Sequence, residues 1–244
     1  MATAPTVGFI YPDHAAEDDY LLAAQILGVD LPVVHIYGTD LHAIPELLDL
    51  GSPEKLAGGA ALIAREKPDA VMWACTSGSF VYGPDGARQQ AASLAEATGV
   101  PTSSTSFAFV NALHALGITR VTVVASYPED VAKLFVDFLD AAGIEVLSVS
   151  SAGIETAAEV GLLTPERVVE LAVRNDHPDA QALLIPDTAM RTIGVLGTLE
   201  RRLGKPVLTA NQVTIWEGLR LAGHTAAQSS LGTLFEKGNS HGSD

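Results

Sequence analysis

A single cysteine, Cys75, stands among 244 residues, so no disulfide can form within the chain and nothing in it implies an oxidising compartment. Basic residues are also scarce: 14 Lys and Arg face 29 Asp and Glu, a formal net charge of −15. Such a surface repels phosphate backbones and anionic headgroups, which sets nucleic acid and membrane surfaces aside and leaves a small molecule as the expected partner. No window reaches the roughly 20 uninterrupted apolar residues that span a bilayer. The opening residues, Met1 to Val7, lack the basic start and long apolar run of a secretory signal. The expectation is a soluble, cytoplasmic protein. Also missing are the Gly-x-Gly-x-x-Gly turn, the Walker loop and the Gly-x-Ser-x-Gly elbow, so chemistry without a cofactor is expected. His35 and His42 have no recognisable ligand spacing, and no metal is expected.

What is present is core. Apolar residues make up 48% of the chain and charged ones only 18%, which excludes disorder for all but the ends. Short Val- and Ile-rich runs alternate with longer Ala/Leu/Glu-rich stretches, the rhythm of parallel strands joined by crossover helices. Strands are expected at Thr6–Tyr11, Leu31–Ile36, Ala70–Ala74, Thr102–Thr105, Val121–Ala125, Glu145–Val149, Ala182–Ile185 and Val207–Thr209. Helices are expected at Ser52–Glu66 and Thr164–Arg174, each opened by a hydroxyl residue, Pro and Glu. A third should start near Pro84, and the stretch from Thr225 to Asp244 reads as a frayed tail. Unbroken apolar strands call for helices on both faces of a sheet, so the fold class is α/β.

The chain also resembles itself at an offset of roughly 110 residues, about the size of one small α/β lobe. Thr6-Val-Gly-Phe-Ile-Tyr-Pro pairs with Val121-Thr-Val-Val-Ala-Ser-Tyr-Pro, and the Pro-Asp-Ala at Pro68 with the Pro-Asp-Ala at Pro178. Gly99-Val-Pro pairs with Gly204-Lys-Pro. Two pseudo-symmetric lobes follow: residues 1–113, with 211–244 packing back on them, and residues 114–210. In open α/β sheets ligands bind beyond the C-terminal strand ends, which here should face each other across one cleft. Cys75 and Asp187 hold matching positions at those ends. A thiol and a carboxyl so placed can add or remove a proton on opposite faces of one carbon.

Cys75 opens Cys-Thr-Ser-Gly-Ser, a turn whose N–H groups, with the hydroxyls of Thr76, Ser77 and Ser79, suit an anion and should lower the thiol's pKa. Against this, a lone cysteine is commonly a small buried hydrophobe. Asp187 could equally cap a helix. Tyr127 could donate its phenol proton to an enolate oxygen or serve as core. Pro12 and Asp13 hold the matching place in the first lobe, next to His14, which reads as an acid, base or cation, or as part of a solvated acidic turn with Glu17, Asp18 and Asp19.

Gly8-Phe-Ile-Tyr-Pro, Ala74-Cys-Thr-Ser-Gly-Ser-Phe, Thr105-Ser-Phe-Ala-Phe-Val-Asn-Ala-Leu, Ala125-Ser-Tyr-Pro-Glu-Asp-Val and Met190-Arg-Thr, in this order, resemble the maleate cis–trans isomerase and arylmalonate decarboxylase branch of the aspartate/glutamate racemase superfamily. The resemblance extends to about Gly223. It implies two pseudo-symmetric lobes, an active site between them and no metal or organic cofactor. In the isomerases a cysteine from each lobe serves the reaction; Cys75 matches the first, and Asp187 replaces the second. In the decarboxylases the positions of Thr76, Ser77 and Tyr127 hold the carboxylate that becomes an enediolate. There the proton-donating cysteine lies on the second lobe, and glycine replaces the first.

The resemblance therefore implies catalysis by Cys75 and Asp187 on a small carboxylate or dicarboxylate held by Thr76, Ser77, Tyr127, Thr188, Pro12 and Asp13. Isomerase chemistry stands first, decarboxylation or racemisation second. A carboxylate-binding module that has lost its second cysteine is a third reading, and assembly into a homo-oligomer is compatible with the sequence.

Overall fold

The computed structural model describes residues 4–38 and 40–237. Eight strands form: β1 (Val7–Pro12), β2 (Val33–Ile36), β3 (Ala70–Trp73), β4 (Thr102–Ser104), β5 (Arg120–Ala125), β6 (Glu145–Ser151), β7 (Ala182–Ile185) and β8 (Val207–Thr209). They make two four-stranded sheets, ordered β2-β1-β3-β4 and β6-β5-β7-β8, with every pairing parallel. The second order is the first repeated four strands later, as the internal resemblance requires. All four residues of β3 and all four of β7 are buried, so the unbroken apolar runs do mark strands covered on both faces. The edge strands β2 and β6 are only partly covered.

The helix signals act as read. Pro53 opens the helix Pro53–Ile63 after Ser52. The Thr164 side chain accepts from Arg167 N ahead of Pro165, which opens Pro165–Arg174. A longer helix, Gly83–Thr98, contains Pro84 in its first turn. None of the described helices is long and apolar enough to cross a membrane.

Each sheet's last strand feeds a helix that runs between the sheets, Thr105–Leu116 after β4 and Ala210–Leu221 after β8. The two lie side by side, with Thr105 Oγ1 2.7 Å from Thr214 Oγ1 and Asn111 Nδ2 donating to Glu217 Oε1 at 2.8 Å. Helix Ala210–Leu221 crosses back onto β1 and β3. Gly218 permits that approach, since a Cβ there would lie 2.5 Å from Val7 Cγ1. One apolar core therefore runs through both sheets.

Polar ties complete the junction. Tyr11 Oη donates to Thr188 O at 2.8 Å, and Asp19 Oδ2 accepts from Thr192 N at 2.8 Å and Asn211 Nδ2 at 3.0 Å. Arg191 pairs with Asp18 at 2.9 Å. The Met190-Arg191-Thr192 run thus fastens the two halves together.

The frayed-tail expectation needs correction. Leu231, Leu234 and Phe235 are buried, and the tail forms helix Thr233–Lys237. The apolar residues are too widely spaced among Gly, Ser and Thr to announce a packed segment. Residues 238–244 lie outside the described residues.

Candidate active site

Cys75 and Asp187 each stand two residues beyond the end of a corresponding strand, β3 and β7. Both line one cavity of about 30 Å³ between the lobes, with Tyr11, Pro12, Asp13, Ser77 and Thr188. Apolar walls come from Leu41, Leu47, Leu50, Ala157 and Ala189. Thr76 and Tyr127 are buried beside this group, close enough for the Thr76 and Ser77 hydroxyls to bear on the Tyr127 phenol. All eight residues expected at the site therefore gather in one place.

A strap covers the cavity. Asp40 to His42 reach across from the first half, where Leu41 forms an antiparallel bridge with Thr156. His42 N donates to Glu155 O at 2.7 Å, and Ala157 N donates to Asp40 O at 3.1 Å. A cavity of about 30 Å³ holds a water or two but no carboxylic acid of several carbons. The strap must part to admit a larger molecule.

The thiol is held as a thiol. Gly78 N donates to Cys75 Sγ at 3.2 Å and Ser77 Oγ lies 3.8 Å away, both of which favour the thiolate. Burial outweighs them and, with the nearby Asp187 charge adding to it, pushes the pKa up to about 11. This corrects the expected lowering: the helix beyond the turn, Ser77–Phe80, is only four residues long, and the sulfur is nearly inaccessible. Iodoacetamide alkylation of the native protein should accordingly be slow at neutral pH and rise about tenfold per pH unit up to about pH 10. A rate independent of pH over that range would contradict the burial.

Asp187 is surrounded by donors. Its Oδ1 accepts from Ala189 N at 2.9 Å, and its Oδ2 accepts a short hydrogen bond from the Ser126 hydroxyl. The Asp187–Ala189 contact closes a local turn, but no helix begins there, the next helical turn being Ile193–Val195, so the helix-cap alternative does not hold and the carboxyl lines the cavity instead. His42 Nε2 stands 3.9 Å from Asp187 Oδ2. The ring is fixed by Nδ1 donating to Ile154 O at 3.1 Å and by an edge-on contact with Tyr127, centroids 5.0 Å apart. A carbonyl can only accept, so Nδ1 carries hydrogen and Nε2 is the nitrogen turned toward Asp187, beyond direct hydrogen-bond distance.

In the sequence His42 shows no metal-ligand spacing and no other mark of function. Its role depends on a contact across 145 positions of chain, which no local spacing announces. Ser126, next to Tyr127 in the Ala125-Ser-Tyr-Pro run, likewise carries no local signal of its contact with Asp187.

The side chains expected to hold a carboxylate are partly engaged by the protein itself. Tyr127 Oη donates to Pro186 O at 2.6 Å, so its proton is engaged and must turn away to meet a substrate. Burial raises its pKa well above the ordinary tyrosine value, which keeps it a donor. Thr76 Oγ1 is buried beside the Tyr127 phenol and makes no hydrogen bond of ordinary geometry. No Lys or Arg is among the cavity's lining residues, whereas Asp13, Asp40 and Asp187 are.

A repeated parallel sheet, with a thiol and a carboxyl meeting from equivalent strand ends, defines a two-lobed α/β enzyme whose site lies between the lobes. The family model for arylmalonate decarboxylase matches residues 52–235. The arylmalonate decarboxylase of Bordetella bronchiseptica is 30% identical over 243 residues, covering 97% of this chain and 99% of that one. A maleate isomerase of Alcaligenes faecalis is 30% identical over 125 residues, 51% of this chain and 49% of its own. Among solved structures, a liganded arylmalonate decarboxylase mutant with one glycine changed to cysteine and one cysteine to serine superposes with a TM-score of 0.85. It is 27% identical, and the match covers 96% of this chain and 99% of the mutant. The chain belongs to the arylmalonate decarboxylase family.

Proposed function

We propose that the protein is an enzyme that acts on a small carboxylate through an enediolate whose α-carbon lies between Cys75 and Asp187, using its own side chains and no organic cofactor. The observation that carries this reading is the meeting of those two groups, from corresponding positions of the repeat, in one enclosed cavity. Thr76 and Ser77 supply hydroxyl donors for the charge that develops on the carboxylate. Tyr127 joins them once released from Pro186.

The state of the thiol favours proton delivery. A malonate that loses carbon dioxide leaves the bonding electron pair on its α-carbon as an enediolate. Cys75 S–H protonates that carbon, and the resulting thiolate regains a proton from solvent. A thiol with a pKa of about 11 begins this sequence in the form it needs. Because the thiol stands on one side only, the new C–H bond forms on one face.

Cis–trans isomerisation is the second reading, favoured by the first-lobe cysteine in Cys75-Thr76-Ser77-Gly78-Ser79. There the sulfur adds to one carbon of a cis-enedioate while the other is protonated from the Asp187 side. Rotation about the single bond and elimination of sulfur and proton give the trans product. Asp187, with His42 behind it, would serve as the base that first takes the thiol proton.

A screen of maleate, substituted malonates, and amino and hydroxy acids in heavy water, read by NMR, tests the proposal. Carbon dioxide release with one deuteron at the α-carbon, formed as a single enantiomer, is the expected result. A trans-enedioate without carbon dioxide would establish the second reading. Exchange at an α-carbon with loss of configuration would indicate racemisation. Binding of these acids without turnover of any would overturn the assignment as an enzyme.

A further inference from the structure

We propose that His14, Glu17 and His35 form a binding site for a zinc-like divalent transition-metal ion at the rim of the cavity. The three side chains come from the loop after β1, the residue preceding helix Asp18–Leu27, and β2. One ligand atom from each lies within 4.8 Å of the others. The two imidazoles face each other with centroids 4.0 Å apart and planes 34° from parallel. Sequence spacing could not reveal this site, because β2 reaches it only by pairing beside β1, with Tyr11 opposite His35.

What distinguishes the cluster from a chance meeting is that each residue's second polar atom is already held. His35 Nδ1 donates to Asp13 O at 2.6 Å, which leaves Nε2 with its lone pair free. Glu17 Oε2 accepts from Ala15 N at 2.9 Å, which leaves Oε1 turned to His14 Nδ1 at 2.7 Å. His14 Nε2 lies 3.3 Å from Tyr37 Oη, the partner it can donate to once Nδ1 binds a metal. A carbonyl, a backbone amide and a phenol thus form the outer shell that orients a metal's ligands.

Two nitrogens and one carboxylate oxygen suit zinc and its neighbours and leave a coordination position open, whereas magnesium and calcium call for oxygen donors. The net charge of −15 also draws cations toward the surface. Asp13 and Ala15, which hold two of the ligands in place, line the cavity that has no Lys or Arg among its lining residues. A bound ion would place positive charge at that rim. The proposal does not depend on the reaction assigned to the cavity.

The experiment is zinc binding to tag-free, chelator-stripped protein, measured by competition with a chromophoric chelator and by titration calorimetry. Cobalt absorption reports the ligand set. One saturable equivalent is expected, unaffected by excess magnesium. His14→Ala and Glu17→Gln should each weaken it at least ~100-fold, and Tyr37→Phe by roughly 10-fold, with the circular dichroism spectrum unchanged. His177→Ala, remote from the cluster in sequence and bonded to Asp179 N, should leave it intact. Absence of saturable binding, or binding untouched by His14→Ala and Glu17→Gln, would overturn the site.

Discussion

Cys75→Ala is expected to lower turnover by about 10²–10⁴-fold while leaving the fold and carboxylate binding in place. The thiol is a far stronger acid than the Ser77 hydroxyl beside it on the same side of the cavity. Thr76 and Ser77 remain to hold the carboxylate. Cys75→Ser is the sharper control: a hydroxyl keeps the contact with Gly78 N but is too weak an acid to replace the thiol. Parallel measurement of turnover and ligand affinity decides the matter, and an alanine variant as active as the parent would remove Cys75 from the chemistry.

The same variant should change the alkaline limb of stability. The folded thiol's pKa of about 11 lies above the ordinary value of 9.0, so the folded state keeps a proton that the unfolded chain releases first. The stabilisation is complete below pH 9 and is lost as pH rises through 11, by about 3 kcal/mol in all. Denaturant unfolding at a series of pH values should show this part of the loss in the parent and not in Cys75→Ala.

Much of this arrangement can be read from residue order. The runs Ala70–Trp73 and Ala182–Ile185 are buried on both faces, so their composition alone identifies them as strands. The two copies of Pro-Asp-Ala fix the correspondence that brings Cys75 opposite Asp187. Three features are not legible in the same way, because they depend on contacts far apart in the chain. His42 reaches Asp187 only because the strap crosses between halves. His14 and His35 meet only because β2 lies beside β1. The Cys75 pKa turns on burial among Ile10, Leu50 and Trp73, which come from distant parts of the chain, whereas its local turn suggests the opposite direction.

Asp187→Asn separates the two chemistries by the largest expected difference. Asparagine is nearly the same shape: its carbonyl can accept from Ala189 N, and its amide can donate to Ser126 Oγ, so the local hydrogen-bond partners are kept. What disappears is the ability to take up or release a proton. If the enzyme decarboxylates, Cys75 alone delivers the proton, and the rate should stay within about tenfold of the parent, since no transferred proton resides on Asp187. If it isomerises or racemises, each turnover needs a proton exchanged on the Asp187 side, and the rate should fall by about 10²–10⁴-fold. His42→Ala should then produce part of that fall, because it removes the ring that packs edge-on against Tyr127 and stands 3.9 Å from the Asp187 carboxyl. A decarboxylase that lost its activity on Asp187→Asn would show that the carboxyl takes part in breaking the carbon–carbon bond, and the division of labour between the two faces would have to be redrawn.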